Sequence, residues 1–282
     1  MLKLSAHLLV LMILLAGPVL ACGFFDDAKD VVETVDAAVS LLQEIEKSGT
    51  WEYISDGLQG LEDQDQGYTA VVHLRDGNVN SDHQFESPLK MDVVIEVQVD
   101  ADGDMLLLVD EAGTKRQYFI EHSADSSTPT RVYRIEDGRY VCVKSDEEGS
   151  TFDSGLDGIF EQYAGLAVGA QFLSVAKETG ADKVAGREVT EYELESKVPE
   201  ALKILEKIDS AELKQKIDES GEFALSGGLS LDKKTGALMQ FISTYDDLDD
   251  QRRTELSFEI TQWGSVPDIP APTADQITTV CE

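Results

Sequence analysis

The chain has 282 residues, with 55 acidic against 23 basic side chains, a net charge of -32 and 42% hydrophobic residues. That charge excludes nucleic acid as a partner, because phosphates would be repelled, and excludes adhesion to anionic lipid through a basic surface. The apolar share excludes a disordered acidic tail.

Lys3 and the chain amine precede the apolar run "LLVLMILLAGPVL" (8–20). The run is shorter than the roughly 20 residues that span a bilayer as a helix. A basic end, a short apolar core and a small residue before the cut describe an export signal. "VLAC" (Val19 to Cys22) resembles the lipobox of bacterial and some archaeal lipoproteins. There the chain is cleaved before the cysteine and the thiol is lipidated. Leu20 departs from the Ala or Ser more common at its position. The resemblance implies removal of residues 1–21 and lipid attachment at Cys22; the alternative is a plain secretory signal with an unmodified thiol. Two or more acyl chains anchor a protein stably where a single myristoyl chain does not. The expected partner is therefore a membrane, reached through acyl chains. The expected location is the outer face of the cell membrane or the outer membrane.

Residues 22–49 carry the lipidated end and a helix. Ala28, Val31, Val35, Ala38, Leu42 and Ile45 recur at spacings of three and four, and Gly49 ends the run. One apolar stripe predicts a helix that lies on its own domain. A second short helix is predicted at 51–61.

From Tyr68 the period becomes two. Strands are predicted at 68–74, 89–100, 104–110, 115–123, 131–136 and 139–144, joined by turns rich in Gly and Asp-Gly. In the second, Met91, Val93, Ile95, Val97 and Val99 share one face, while Asp92, Glu96 and Gln98 share the other. One buried and one wet face mean an antiparallel sheet. A helix is predicted at 155–178, stopping at Gly180, with Leu156, Phe160, Tyr163, Ala167, Ala170 and Leu173 on its apolar face. A strand at 186–196 follows, then a helix at 199–219 entered through Pro199, which suits a first helical turn. Strands at 221–232, 237–246 and 252–263 complete the sheet. Prolines in "VPDIPAPTADQ" keep the exit out of any central strand. With about ten strands and no linker between 50 and 272, the expected class is α+β, one domain with a tail at 273–282.

This order of elements, "LSLDKKTGALMQFIS" in the penultimate hairpin and "IPAP" (269–272) resemble the LolA-like superfamily, in particular bacterial lipoproteins of the LppX/LprG kind. The resemblance covers about residues 50–272. It implies a strongly curved antiparallel half-barrel closed by amphipathic helices, whose hollow holds acyl chains. The missing tether after Cys22 and the helix at 199–219 depart from a shuttling carrier and favour an anchored receiver or sensor. On strand parity, Val93, Ile95, Val97, Tyr118, Ile120, Leu256, Phe258 and Ile260 line the hollow, closed by Phe160 and Tyr163. The function implied is binding of an acyl chain or other apolar ligand, in envelope lipid or lipoprotein transport or sensing. The alternative is an envelope interaction or structural lipoprotein whose core is filled, since pocket lining and core use the same residues.

Catalytic and cofactor chemistry is not expected. His73, His83 and His122 lack metal-site spacing, and no H-E-x-x-H or C-x-x-C occurs. Asp100, Asp102 and Asp104 surround a glycine misplaced for a calcium loop and read as a hairpin turn. "DDLDD" (246–250) reads as a solvated loop. "SGGLS" lacks the context of a nucleophile elbow. No metal and no enzyme activity are expected. If Cys22 is lipidated, Cys142 and Cys281 remain, either bridged, pinning the tail across the sheet, or as two thiols.

Overall fold

Alternating apolar and polar residues form twelve strands in the computed structural model, which describes residues 39–62 (42, 46 and 48 excepted), 66–122, 131–143, 174–206, 222–264 and 266–279. The strands are β1 (Tyr68–Asn78), β2 (Met91–Val99), β3 (Met105–Glu111), β4 (Thr114–Glu121), β5 (Arg131–Glu136) and β6 (Arg139–Cys142), followed by β7 (Ser174–Val184), β8 (Arg187–Ser196), β9 (Phe223–Asp232), β10 (Leu238–Asp247), β11 (Arg252–Trp263) and β12 (Ile277–Thr279). The helices are α1 (Thr50–Glu62) and α2 (Val198–Glu206). All strands join one sheet in the order β12-β6-β5-β4-β3-β2-β1-β11-β10-β9-β8-β7. Neighbours are antiparallel throughout, except that β12 runs parallel to β6. The sheet is curved and does not close, so the fold is an α+β half-barrel with twelve strands where the sequence predicts ten.

Turn chemistry sets the hairpins. Ala112-Gly113, Asp137-Gly138 and Ala185-Gly186 all have positive φ, as two-residue type I′ loops require. Curvature comes from register shifts at Thr69/Ala70, Glu178/Gly180 and Leu238/Gln240. An extra residue in one strand bends it and increases its twist. The bend brings the Arg187 guanidinium of β8 to 4.8 Å from the Trp263 ring of β11. In a flat sheet those strands would lie about 14 Å apart.

α1 packs against β10 and β7. Gly57 and Gly60 permit the close approach. A Cβ on Gly57 would lie 2.9 Å from Leu238 Cβ, and one on Gly60 would lie 3.0 Å from Ala237 Cα. The segment before α1 is helical at 39–41, 43–45 and 47, ends at Gly49 as expected, and buries Ile45. It lies on the domain: Lys197 Nζ reaches Glu44 and Glu195, each at 2.9 Å. Those two carboxylates, Glu195 foremost, hold the Lys197 amine above its usual range. Ser174 Oγ donates to Thr50 Oγ1 at 2.7 Å where both residues are fully buried.

Two expectations are corrected here. The helix predicted to run to 178 does not: Ser174–Val184 is the edge strand β7, paired with β8 along its length. The helical spacing read through Leu173 continued by chance into Val175 and Ala176, and cross-strand pairing overrides local propensity there. Gly180 is not a helix stop; it adjoins a bulge. Residues 155–173 lie outside the described residues. In the expected tail, residues 277–279 form β12. The helix expected at 199–219 is described as α2, and 207–219 lie outside the described residues.

The C-terminal segment straps the outer face. Ile269 and Ile277 pack with Phe119, Tyr133 and Tyr140 into a second small core. Asp100, in the turn that mimics a calcium loop, organises both turn and strap. Its Oδ1 accepts from the Asp102 and Asp104 amides, and its Oδ2 accepts from the Ile269 amide at 2.9 Å. Cys142 of β6 is disulfide-bonded. Thr279 of β12 stands opposite Val141, so Cys281 is the expected partner. Non-reducing peptide mapping should recover 142 and 281 in one linked pair; a link to Cys22, or free thiols, would refute it.

Asp232 is a second organiser. It accepts from Arg187 Nε at 2.6 Å and Nη2 at 2.8 Å, and from the Thr235 amide and hydroxyl at 2.8 Å each. Arg187 and the turn donors hold its carboxyl far below the usual carboxylate range. A depressed folded pKa stabilises the protein fully above the unfolded value of about 3.9, and that contribution fades as pH falls toward the folded value. The stability gap between wild type and Arg187→Met should therefore be wider at about pH 7 than at about pH 3. Urea denaturation at the two pH values checks this; a gap independent of pH would contradict it.

Candidate functional site: the concave apolar face

Period-two patterning on successive strands places inward residues side by side in rows. One row runs Tyr118, Leu107, Val97, Ala70, Ile260. The next runs Val109, Ile95, Val72, Phe258, Phe241, Leu229, Tyr192. A third joins Val93, Leu74 and Leu256. These rows form one continuous apolar cluster, to which α1 adds Ile54 and Leu61.

The eight strand residues expected to line the hollow all fall in this cluster. Val93, Ile95, Tyr118, Leu256 and Ile260 are buried, while Val97, Ile120 and Phe258 are partly buried and packed against them. Phe160 and Tyr163 lie outside the described residues. Strand parity was enough to group the eight, because each strand alternates faces and the sheet keeps register between neighbours.

α1 occupies one side of this face. Tyr53 meets Tyr192 at 5.0 Å between ring centroids, and the helix rests on β10 and β7. β4, with Tyr118 and Ile120, lies five strand spacings from β10, about 24 Å along the sheet. What such a face offers chemically is apolar area, which binds hydrocarbon in proportion to the surface removed from water.

Charges gather at one end of the half-barrel, and they are paired. Asp76, fully buried, accepts from Arg252 Nε at 2.9 Å and Nη2 at 2.6 Å and from Thr254 Oγ1 at 3.0 Å. Arg253 holds Asp246 through Nε at 2.6 Å and Nη2 at 2.7 Å, and donates through Nη1 to the His83 carbonyl. Arg75 pairs with Glu255 and stacks on Phe85 at 4.9 Å. Asp246, read from the sequence as part of a solvated loop, is buried in this network. Each of these three guanidinium groups is committed to its carboxylate.

Parity did not reveal a groove on the opposite, outer face, with a volume of 460 Å³, between β7 and β11. Its one sequence signal was Gly227-Gly228, which removes side chains from mid-strand.

No family model matches the chain, and no curated protein matches it. Solved structures similar in fold include the Mycobacterium tuberculosis lipoprotein LppX, of the kind the sequence resembles, at 10% identity and a TM-score of 0.38 over 78% of this chain and 97% of that one. LprF from Mycobacterium bovis is similar at 16% identity and a TM-score of 0.37, over 80% and 100% of the two chains. The Pseudomonas aeruginosa MucA/MucB complex is similar at 15% identity and a TM-score of 0.30, and there this chain, matched over 80% of its own length, spans 59% of the other. None of these likenesses decides a function.

Proposed function

We propose that the protein is an exported lipoprotein, anchored through acyl chains on Cys22, that takes an acyl chain or other apolar ligand against the concave face of its half-barrel. The observation that carries the reading is the continuity of that face. Eight residues chosen from sequence for a ligand lie together in one apolar cluster, to which α1 adds Ile54 and Leu61. A buried acyl chain gains about 0.8 kcal/mol per methylene, so a chain of ordinary length binds there without a charged contact. Selectivity among lipids is then low, in keeping with the paired arginines at the charged end.

The second reading, an interaction lipoprotein with a filled core, is favoured by α1, which fills its part of the face with Tyr53, Ile54 and Leu61. Delipidated protein titrated with a fluorescent fatty acyl probe separates the two. Saturable binding to folded protein supports the hollow, and its absence supports the filled core. Peptide mass analysis of protein from its host should show residues 1–21 absent and acyl mass on Cys22; an intact signal or a bare thiol would overturn the anchor.

A further inference from the structure

The C-terminal strap is held in two unlike halves. In the first, Gln98 Nε2 donates to the Pro267 carbonyl at 3.2 Å and the Ile269 amide donates to Asp100 Oδ2 at 2.9 Å. Ile269 itself is buried in the second core. In the second half, residues 270–278, only Pro272 and Ile277 are even half-buried. Its hold on the body is short. Tyr140 N donates to the Gln276 carbonyl at 2.9 Å, and Thr278 Oγ1 donates to the Tyr140 carbonyl at 3.2 Å. The ladder itself pairs Ile277 with Tyr140 and Thr279 with Val141 across an irregular register. Pro270 and Pro272 have no N–H to add to any ladder.

So short a strand, with Ile277 as its side chain in the second core, gains little against the entropy of ordering the segment that carries it. The disulfide at Cys142 supplies what these contacts lack. Because β12 runs parallel to β6 with Thr279 opposite Val141, a bond from Cys142 to Cys281 continues that pairing. It restrains the weakly held half of the strap, not the half anchored at Ile269. Among the described residues β12 is all that pairs with the outer edge of β6. Without it, the N–H and C=O groups of that edge are open.

We infer that the strap is a redox latch. The Cys142–Cys281 bond holds β12 over the β6 edge, and its reduction frees the strap from residue 270 onward while 266–269 stay anchored. The reductant is a dithiol. Its thiolate attacks one sulfur of the bond, releasing the other protein thiol and leaving a mixed disulfide; its second thiol then displaces the remaining protein sulfur. The reductant departs as a cyclic disulfide, and two electrons and two protons have passed to the two cysteines. The latch rests on the pairing of 142 with 281 and is independent of any ligand on the concave face.

Hydrogen exchange followed by mass spectrometry on the full chain tests this, before and after dithiothreitol, with alkylation confirming that both thiols are free. Peptides covering β6 and β12 should exchange at least about tenfold faster after reduction, while those covering the Asp100 turn and residues 266–269 change less than about twofold. Cys281→Ser should show the reduced pattern without reductant, and reoxidation of the wild type should restore the original one. Unchanged exchange after reduction would mean that β12 holds by its own contacts. Faster exchange throughout the sheet would make the bond a staple of the whole fold. Either result overturns the latch, as does a bond that dithiothreitol leaves intact in the folded protein. A Cys281→Ser variant that exchanges like oxidised wild type would refute the pairing and the latch with it.

Discussion

Arg252→Ala is expected to lower the stability of the protein by about 3–5 kcal/mol, because it leaves a buried carboxylate without its counter-charge. Asp76 is fully buried, while the Arg252 side chain is 34% exposed. The two partners are therefore unequal. Removing the arginine strands a charge that has no access to water and keeps only Thr254 among the side-chain donors described for it. Removing the carboxylate instead, as Asp76→Asn, leaves an arginine that water still reaches. The cost of Asp76→Asn should be smaller, and the double variant should be less damaged than Arg252→Ala alone. Urea denaturation of the two single variants and the double variant measures this coupling. Additive losses would mean that the pair does not act as a unit.

Ile95→Glu is expected to abolish saturable uptake of the acyl probe, while Val94→Glu preserves it. The two residues are neighbours in β2, yet they face opposite sides of the sheet. Ile95 joins the concave cluster between Val109 and Val72, and Val94 stands beside His73 on the outer face. An unpaired carboxylate forced into the apolar face costs several kcal/mol or is neutralised by protonation. Ile95→Glu also destabilises a filled core, so its loss of binding counts only if circular dichroism shows it folded. Ile95→Ala supplies the milder comparison, with a cost of about 2–5 kcal/mol. Retained binding in folded Ile95→Glu would remove the concave face from the proposed site. Loss of binding in Val94→Glu as well would show that the effect is not specific to that face.

The hairpins were legible because their turns require particular residues. Glu-Ala-Gly-Thr at 111–114 and Glu-Asp-Gly at 136–138 were read as turns between strands, as the structure has them. The same signal stood at Val184-Ala185-Gly186-Arg187. There the apolar spacing of the preceding residues outweighed it and hid β7. "VAKETGADKV" offers little alternation because β7 is an edge strand, and Lys177, Glu178, Thr179, Asp182 and Lys183 are all exposed. Such charged edges resist pairing with other chains and, for the same reason, lack the pattern by which strands are recognised. β12 was hidden differently. It is short, and its partner among the described residues, β6, lies far back in the sequence.

The sequence by itself carried the motifs read as an export signal and lipobox at Cys22, a charge that opposes nucleic acid, the antiparallel class and the grouping of eight strand residues in the concave cluster. These follow from composition and from a period of two, both local properties of the chain. Tertiary structure decided the rest. Asp76 and Asp246 are indistinguishable by type from the many solvated carboxylates, and only the approach of Arg252 and Arg253 makes them buried ion pairs. Asp100 became the anchor of the C-terminal strap because Ile269, far away in sequence, donates to it. The outer groove exists because residues from five strands align across the sheet. Strand register and curvature are set by pairings between distant segments, and no window of the sequence contains both partners.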